Sequence, residues 1–254
     1  NLGSDFMTRI SVELVPRDVE VLKEEVKTIK EKLSDVDFIN IPDLLSCDTR
    51  SWDGANIAKA YFDDVVPHLR AMDFDFTKDL PIKDKLREYN IKEVLVIEGD
   101  PPQSMLYQVY PTISTDIIKK FREEMPEITV YAGIDQYRSS MKEEEYRIRR
   151  KQLAGAKGFF TQPFFDMRYL EMYADLLDGL DIYWGVSPVL SERSVSYWRN
   201  KNNVIFPKDF EPTLEWNIEF ARKVIEFARK HNHNVYLMPI KAKIMPYLEG
   251  VFAK

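Results

Sequence analysis

The chain has 254 residues, of which 44% are apolar and 31% are charged, and its formal net charge is −6. A chain of this length can bury a large core within one domain, and its composition is that of a folded protein rather than a disordered one. The acidic balance argues against a nucleic-acid-binding protein, because neutralising many phosphates requires a basic surface.

The counts of ligand-forming residues argue against the common metal and disulfide sites. Cys47 is the single cysteine and only three residues are histidine, so no internal disulfide and no thiolate zinc site is expected. No run approaches the roughly 20 apolar residues of a membrane span, and no signal-peptide pattern opens the chain. We therefore expect a cytoplasmic protein without metal or membrane contact. Residues 1–6, ahead of Met7, are expected to be a cloning remnant.

Short apolar runs alternate with longer amphipathic segments along the chain. The runs are rich in Val, Ile, Phe and Tyr, which favour strands, and several are apolar throughout, which is typical of parallel strands covered by helices. They predict strands at Ile10–Val15, Phe38–Pro42, Val65–Met72, Val94–Glu98, Ile128–Gly133, Gly158–Gln162, Ile182–Ser187 and Val235–Ile240.

Helical periodicity fills the intervals between these runs. Val21–Leu33 and the segment from Leu214 to Ala228 each place their apolar residues on one stripe. Met141–Leu153 carries oppositely charged pairs four residues apart, such as Glu143 and Arg147, which favour an exposed helix. We interpret its charge run as a solvated helix face.

Strict alternation of strand and helix favours a (β/α)₈ barrel or a doubly wound sheet. No Gly-x-Gly-x-x-Gly follows the first strand, so a dinucleotide-binding doubly wound sheet lacks its main support. No linker or change of composition divides the chain. We therefore predict an α/β protein with one (β/α)₈ barrel, a TIM barrel, over residues 7–254.

Candidate site residues stand at the carboxyl ends of the first and third strands, where the active sites of such barrels lie. Glu13 alternates with apolar neighbours and would point into the barrel mouth, where burial raises the pKa of a carboxyl and suits a general acid. A surface or ion-paired glutamate is an equally good interpretation. His68, on strand three, is more often a structural hydrogen-bonding residue than a catalytic one.

Strand four ends in an acidic turn, Glu98-Gly99-Asp100-Pro101-Pro102. The prolines restrict this turn and Gly99 allows the backbone to approach a ligand closely. These features favour a functional role for Asp100, although an aspartate in a turn commonly bonds its own backbone.

Gln162 follows strand six among four phenylalanines, and Lys241 follows strand eight. A side-chain amide offers a donor and an acceptor together, which can pair with the edge of a heteroaromatic ring. Lys241 would either bind an anion or be solvated. The strand ends therefore predict a pocket for a flat, hydrogen-bonding heteroaromatic ligand.

Five motifs together resemble methylenetetrahydrofolate reductase. They are Ser-Val-Glu-Leu-Val-Pro (11–16), Pro-His-Leu (67–69), Glu-Gly-Asp-Pro-Pro (98–102), Phe-Thr-Gln-Pro-Phe-Phe-Asp (160–166) and Gly-Val-Ser-Pro-Val (185–189). Their order and spacing agree from about residue 8 to residue 250. The resemblance implies an FAD-containing barrel that reduces 5,10-methylenetetrahydrofolate to 5-methyltetrahydrofolate with NAD(P)H.

The resemblance also implies roles for individual residues. Glu13 matches the family's general acid, which helps to open the five-membered ring of the folate. Asp100 matches the carboxylate that hydrogen-bonds the pterin and tunes the flavin, and Gln162 matches the amide that binds the pterin edge. His68, with Gly99 and Asp100, falls in the flavin site.

Other positions depart from the family pattern. Glu98 stands where the family has arginine, Gly133 and Tyr137 where it has tyrosine and histidine, and Glu192 near the place of an aromatic residue. An anion in place of a cation weakens the binding of a diphosphate unless another cation substitutes.

Three hypotheses stay open. One is a reductase that binds FAD. Another is a flavin-free barrel that carries or senses a reduced folate, or acts beside a partner that supplies electrons. The third is an enzyme for another pterin-like ligand. A homo-oligomer is compatible with each of them.

Overall fold

Eight parallel strands close into a barrel in the computed structural model, which describes residues 6–239 and 243–254. The strands follow one another in chain order around the barrel, and β1 pairs with β8. Their bounds are β1 Ile10–Glu13, β2 Phe38–Ile41, β3 Val65–Arg70, β4 Glu93–Ile97, β5 Thr129–Ile134, β6 Gly158–Pro163, β7 Ile182–Val186 and β8 Asn234–Leu237. The closed barrel confirms the predicted (β/α)₈ fold, because a doubly wound sheet has two open edges.

Helices follow the strands along the chain. Their bounds are α1 Val19–Lys32, α2 Ser51–Ala58, α3 Lys83–Glu88, α4 Ser114–Glu124, α5 Met141–Ala154, α6 Met167–Leu176, α7 Glu192–Lys201, α8 Leu214–His231 and α9 Ile244–Phe252. Side chains that accept an amide hydrogen bond begin several of them, among them Asp18 at α1 and Ser140 at α5. None of the helices in the described part of the chain has the length and hydropathy of a membrane span.

Several strands end earlier than the apolar runs predict. β1 ends at Glu13 instead of Val15, and β3 ends at Arg70 because Ala71–Asp73 form a 3₁₀ turn instead of the predicted strand end at Met72. Apolar residues continue into the loops, where Leu14 and Ala71 remain buried in the main core. Ile240 and Lys241, with the first five residues of the expected remnant, lie outside the described residues.

The barrel interior is filled with side chains at its amino-terminal end. Arg9 donates hydrogen bonds to Glu93 at 2.8 Å and to the Tyr183 hydroxyl at 2.9 Å, and its guanidinium lies 4.3 Å from the centre of the Phe38 ring. Further up, Phe160 stacks on Tyr183 with ring centres 4.2 Å apart. These contacts fill the lower barrel, so the space for a ligand is at the carboxyl ends of the strands.

The charge run of helix α5 is partly buried, whereas the sequence predicts a solvated face. Glu144 is fully buried and Lys151 is 6% exposed. Arg138, from the loop before the helix, donates to both oxygens of the Glu144 carboxylate, and Arg147 lies 3.4 Å from Glu144. The interpretation of the whole charge run as solvated was therefore wrong, because a loop contact that the helical period does not contain buries part of it.

Candidate functional site

The strand ends open into a cavity of about 890 Å³. All five predicted site residues line it, namely Glu13, His68, Gly99, Asp100 and Gln162. A cavity of this size lies within the range of small-molecule and cofactor sites. The strand ends therefore bring together residues that lie far apart in the sequence.

Glu13 lies on the floor of the cavity and is 6% exposed. Burial raises the pKa of Glu13 to about 7, although a hydrogen bond donated by the Tyr236 hydroxyl acts in the opposite direction. The inward direction predicted from strand alternation is correct, and the surface interpretation is excluded. A carboxyl with this pKa is protonated in a substantial fraction of molecules at neutral pH, as a general acid must be.

His68 is a buried, uncharged neighbour of Glu13. Its Nδ1 lies 3.8 Å from Oε1 of Glu13, and its Nε2 lies 3.0 Å from Nδ2 of Asn40. Burial lowers the pKa of His68 to about 3, so the imidazole is neutral at physiological pH. The approach of His68 to Glu13 is therefore not an ion pair at that pH, and the imidazole does not stabilise the Glu13 carboxylate by charge.

The turn after β4 packs against the side chain of Arg70. Gly99 has φ +89°, and a Cβ atom added to it would lie 3.1 Å from Cζ of Arg70. Nη2 of Arg70 donates to the Asp100 carbonyl at 2.7 Å. The group that closely approaches Gly99 is thus the Arg70 side chain of the same protein. The Asp100 side chain is exposed at the cavity rim, with no hydrogen bond to its carboxylate within the described part of the chain.

Gln162 is half-buried at the end of β6. Its main-chain carbonyl accepts a hydrogen bond from Nε2 of Gln136 at 2.7 Å, whereas its side-chain amide has no hydrogen bond to any described residue. Of the four neighbouring phenylalanines, Phe160 lines the cavity; the other three pack in hydrophobic clusters elsewhere, namely Phe159, Phe164 and Phe165. The amide is therefore available to a ligand, beside one aromatic ring rather than four.

The family model described as methylenetetrahydrofolate reductase matches residues 7–230. The chain belongs to the methylenetetrahydrofolate reductase family. No curated protein matches the chain.

Solved structures share the fold of this methylenetetrahydrofolate reductase family member at low sequence identity. An uncharacterised protein from Clostridium thermocellum that binds two copies of 5-methyl-5,6,7,8-tetrahydrofolic acid is 14% identical, with a TM-score of 0.63; 96% of this chain and 94% of that chain are covered. A 2,3-dimethylmalate lyase is 9% identical, with a TM-score of 0.59 over 94% of this chain and 76% of that chain. An oxaloacetate acetylhydrolase is 10% identical, with a TM-score of 0.59 over 94% and 77%. These similarities show the barrel fold.

The residues beside β4 and β5 do not fit the diphosphate of FAD, the cofactor expected from the family. A diphosphate needs free backbone N–H groups at a helix start or unpaired cations. Both oxygens of the Glu98 carboxylate instead accept hydrogen bonds from Ser114 at the start of α4. Lys151 donates to the Gly133 carbonyl at 2.8 Å, and the Tyr137 hydroxyl donates to the Pro163 carbonyl at 2.6 Å. These three donors are thus bound within the chain.

Sequence reasoning missed the part of the cavity formed by helix α7. Arg193, Ser194, Tyr197 and Trp198 line the cavity. Their spacing places them on one face of the helix, which is a signal that the sequence contains. The aromatic residue expected near Glu192 is absent, but Tyr197 and Trp198 supply aromatic surface further along the same helix.

Asn40 and Tyr236, the hydrogen-bonding neighbours of His68 and Glu13, were also missed. Both follow the strand alternation that identified Glu13. A tyrosine or asparagine in an apolar strand is more commonly part of the core, so the pattern alone does not distinguish a site neighbour.

Proposed function

We propose that this protein binds a reduced folate at the carboxyl ends of its strands, with Glu13 as the proton donor. The observation that supports this proposal most is the Glu13 carboxyl, which is buried on the cavity floor and has a pKa of about 7. A carboxyl in this state can donate a proton at neutral pH, and burial excludes competing water.

The polar groups around the cavity suit the pterin ring of a folate. A pterin edge presents ring and amino N–H donors next to carbonyl and ring-nitrogen acceptors. The side-chain amide of Gln162 can pair with such an edge, and the exposed carboxylate of Asp100 can accept from its N–H groups. The ring of Phe160, which lines the same cavity, offers an apolar surface. The structural neighbour that binds 5-methyltetrahydrofolic acid supports the choice of a reduced folate.

The chemistry proposed for Glu13 is the opening of the five-membered ring of 5,10-methylenetetrahydrofolate. The bond between the methylene carbon and N10 breaks, its electron pair stays on N10, and N10 takes the Glu13 proton. The product is an iminium ion at N5 and a Glu13 carboxylate. The Tyr236 hydroxyl, which already donates to this carboxyl, stabilises the carboxylate as it forms.

Reduction of that iminium to 5-methyltetrahydrofolate requires a hydride, and the family resemblance names NAD(P)H as its source. The alternative function is a folate-binding barrel that carries or senses the ligand, or receives electrons from a partner protein. Oxidation of NADH that depends on 5,10-methylenetetrahydrofolate, measured at 340 nm, distinguishes the two functions. Dependence of the rate on the folate supports the reductase, and its absence despite folate binding supports the alternative.

Calorimetric titration with 5-methyltetrahydrofolate tests the folate proposal directly. We expect saturable binding by the wild type and at least tenfold weaker binding by Gln162→Leu, because the leucine cannot pair with the pterin edge. The matched control is Gln152→Leu, since Gln152 is exposed on α5 and outside the cavity. Absence of binding by the wild type would contradict the proposal.

A further inference from the structure

We propose that the Glu98 carboxylate takes the place that a phosphate would occupy at the start of α4. This side of the cavity thereby rejects diphosphate ligands such as FAD. The proposal concerns ligand selection on the β4–β5 side and does not depend on folate binding.

The Glu98 carboxylate lies at the start of α4. A helix start attracts anions because its first N–H groups are unpaired within the helix and the helix dipole is positive there. Oε2 of Glu98 accepts the backbone N–H of Ser114 at 3.1 Å, and Oε1 accepts the Ser114 hydroxyl. The side chain of Asp116 accepts the N–H of Ile113 at 3.0 Å. Two carboxylates therefore already occupy the start of α4.

The cations near Glu98 are bound to acceptors of the same chain. Arg138 and Arg147 both contact the buried Glu144 carboxylate, at 2.9 Å and 3.4 Å. Nζ of Lys151 donates to the Gly133 carbonyl at 2.8 Å. Burial lowers the pKa of Lys151, and the nearby negative charge of Glu98 partly opposes that effect. Each of these cations would have to leave an acceptor of its own chain to bind a phosphate.

The carboxylates and the existing hydrogen bonds act together against a diphosphate. A diphosphate arriving on this side meets the negative charges of Glu98 and Asp116, and these carboxylates already hold the N–H groups of Ile113 and Ser114. Repulsion between like charges and the loss of existing hydrogen bonds act in the same direction. A neutral aromatic ring meets neither penalty, so this side of the cavity selects against negative charge.

The test compares binding of FAD and ADP by the wild type, Glu98→Gln and Glu98→Arg. FAD is followed by quenching of flavin fluorescence, and ADP, which carries the same diphosphate without the flavin, by calorimetry. We expect the wild type to bind both ligands weakly and Glu98→Gln to bind ADP at least tenfold more tightly than the wild type does. Glu98→Arg should increase affinity further, because it adds a cation.

The matched control is Glu219→Gln, which changes the net charge equally at an exposed position on α8, away from this side of the cavity. It should behave like the wild type. If Glu98→Arg fails to fold by circular dichroism, Glu98→Gln still decides, because its amide oxygen can accept the Ser114 N–H. Stoichiometric FAD binding by the wild type, or folded Glu98→Gln with unchanged ADP affinity, would overturn the proposal. Titration of the same proteins with 5-methyltetrahydrofolate tests the folate proposal separately.

Discussion

The Tyr236 hydroxyl donates a hydrogen bond to the Glu13 carboxyl across the pair of strands that closes the barrel, β1 and β8. This bond favours the carboxylate, whereas burial favours the protonated acid. The pKa of Glu13, about 7, is thus the result of two opposing effects that can be separated by substitution.

Removing the Tyr236 hydroxyl should raise the pKa of Glu13. In Tyr236→Phe the carboxylate loses its hydrogen-bond donor while burial remains, so we expect an increase of about one pKa unit. The carboxyl signal of Glu13 in a ¹³C NMR titration measures the midpoint. Tyr183→Phe, another buried tyrosine of the barrel interior that hydrogen-bonds Arg9 instead, is the control. An unchanged midpoint in Tyr236→Phe would show that the hydroxyl does not contribute to this pKa, and a lower midpoint would contradict the direction of its effect.

Glu13→Gln should abolish turnover of 5,10-methylenetetrahydrofolate and leave the affinity for 5-methyltetrahydrofolate nearly intact. Glutamine keeps the shape and the hydrogen bond of the side chain but has no acidic proton, and loss of a general acid costs about 10²–10⁴-fold in rate. Stopped-flow consumption of the folate gives the rate, and calorimetry gives the affinity. Normal turnover by this variant would mean that Glu13 is not the acid.

The stability of the wild type should fall as pH rises through the pKa of Glu13. The pKa in the folded protein, about 7, is above the ordinary value of 4.5, so the stabilising effect of the neutral acid is present below pH 4.5 and is lost as pH rises to 7. The difference corresponds to about 3 kcal/mol. We therefore expect Glu13→Gln to gain up to that amount relative to the wild type between pH 5 and pH 8, measured by urea unfolding.

The control for this pH dependence is Glu219→Gln, because Glu219 is exposed on α8. His68 acts in the opposite direction, and its pH range overlaps that of Glu13. Its pKa in the folded protein, about 3, is below the ordinary value of 6.5, so stability is lost as pH falls from 6.5 towards 3. The comparison of Glu13→Gln with the wild type separates the two effects, because both proteins contain His68. A constant difference between Glu13→Gln and the wild type from pH 5 to pH 8 would contradict the raised pKa of Glu13.

Gly99→Ala should destabilise the protein more than Gly179→Ala. Both glycines have positive φ angles, +89° and +82°, which strain any other residue, but a Cβ atom at Gly99 meets Arg70 at 3.1 Å and one at Gly179 meets nothing within 4 Å. Backbone strain of this kind costs about 1–3 kcal/mol, and the contact with Arg70 adds to it. Urea unfolding of both variants measures the difference, and equal losses would exclude a contribution from Arg70.

The fold could be predicted because its main determinants are local. Apolar runs with β-branched and aromatic residues mark each strand, and alternation along β1 places Glu13 inside the barrel. Strand ends were less predictable, as at Met72, because the 3₁₀ turn buries Ala71 as a longer strand would. Burial pattern alone does not separate these two conformations.

The surroundings of the site were less predictable because they depend on contacts between distant segments. Glu98 follows β4 and Ser114 begins α4, 16 residues later, and no periodicity connects them. The helical pattern predicts a solvated Glu144, whereas in the structure the loop before α5 brings Arg138 into contact with it. Sequence patterns thus indicated which residues face the cavity, but not which charges within it are already paired.

The hydrogen bonds of Arg9 at the lower end of the barrel have a consequence for the order of events in the cavity. Because Arg9 hydrogen-bonds Glu93 and Tyr183 at that end, a ligand reaches Glu13 from the carboxyl ends of the strands. A ligand that reaches Glu13 on the cavity floor blocks the path of the next molecule to the same carboxyl. Two reactants that both need the floor must therefore take turns, and a second molecule bound at the same time must lie above the first, nearer to the solvent.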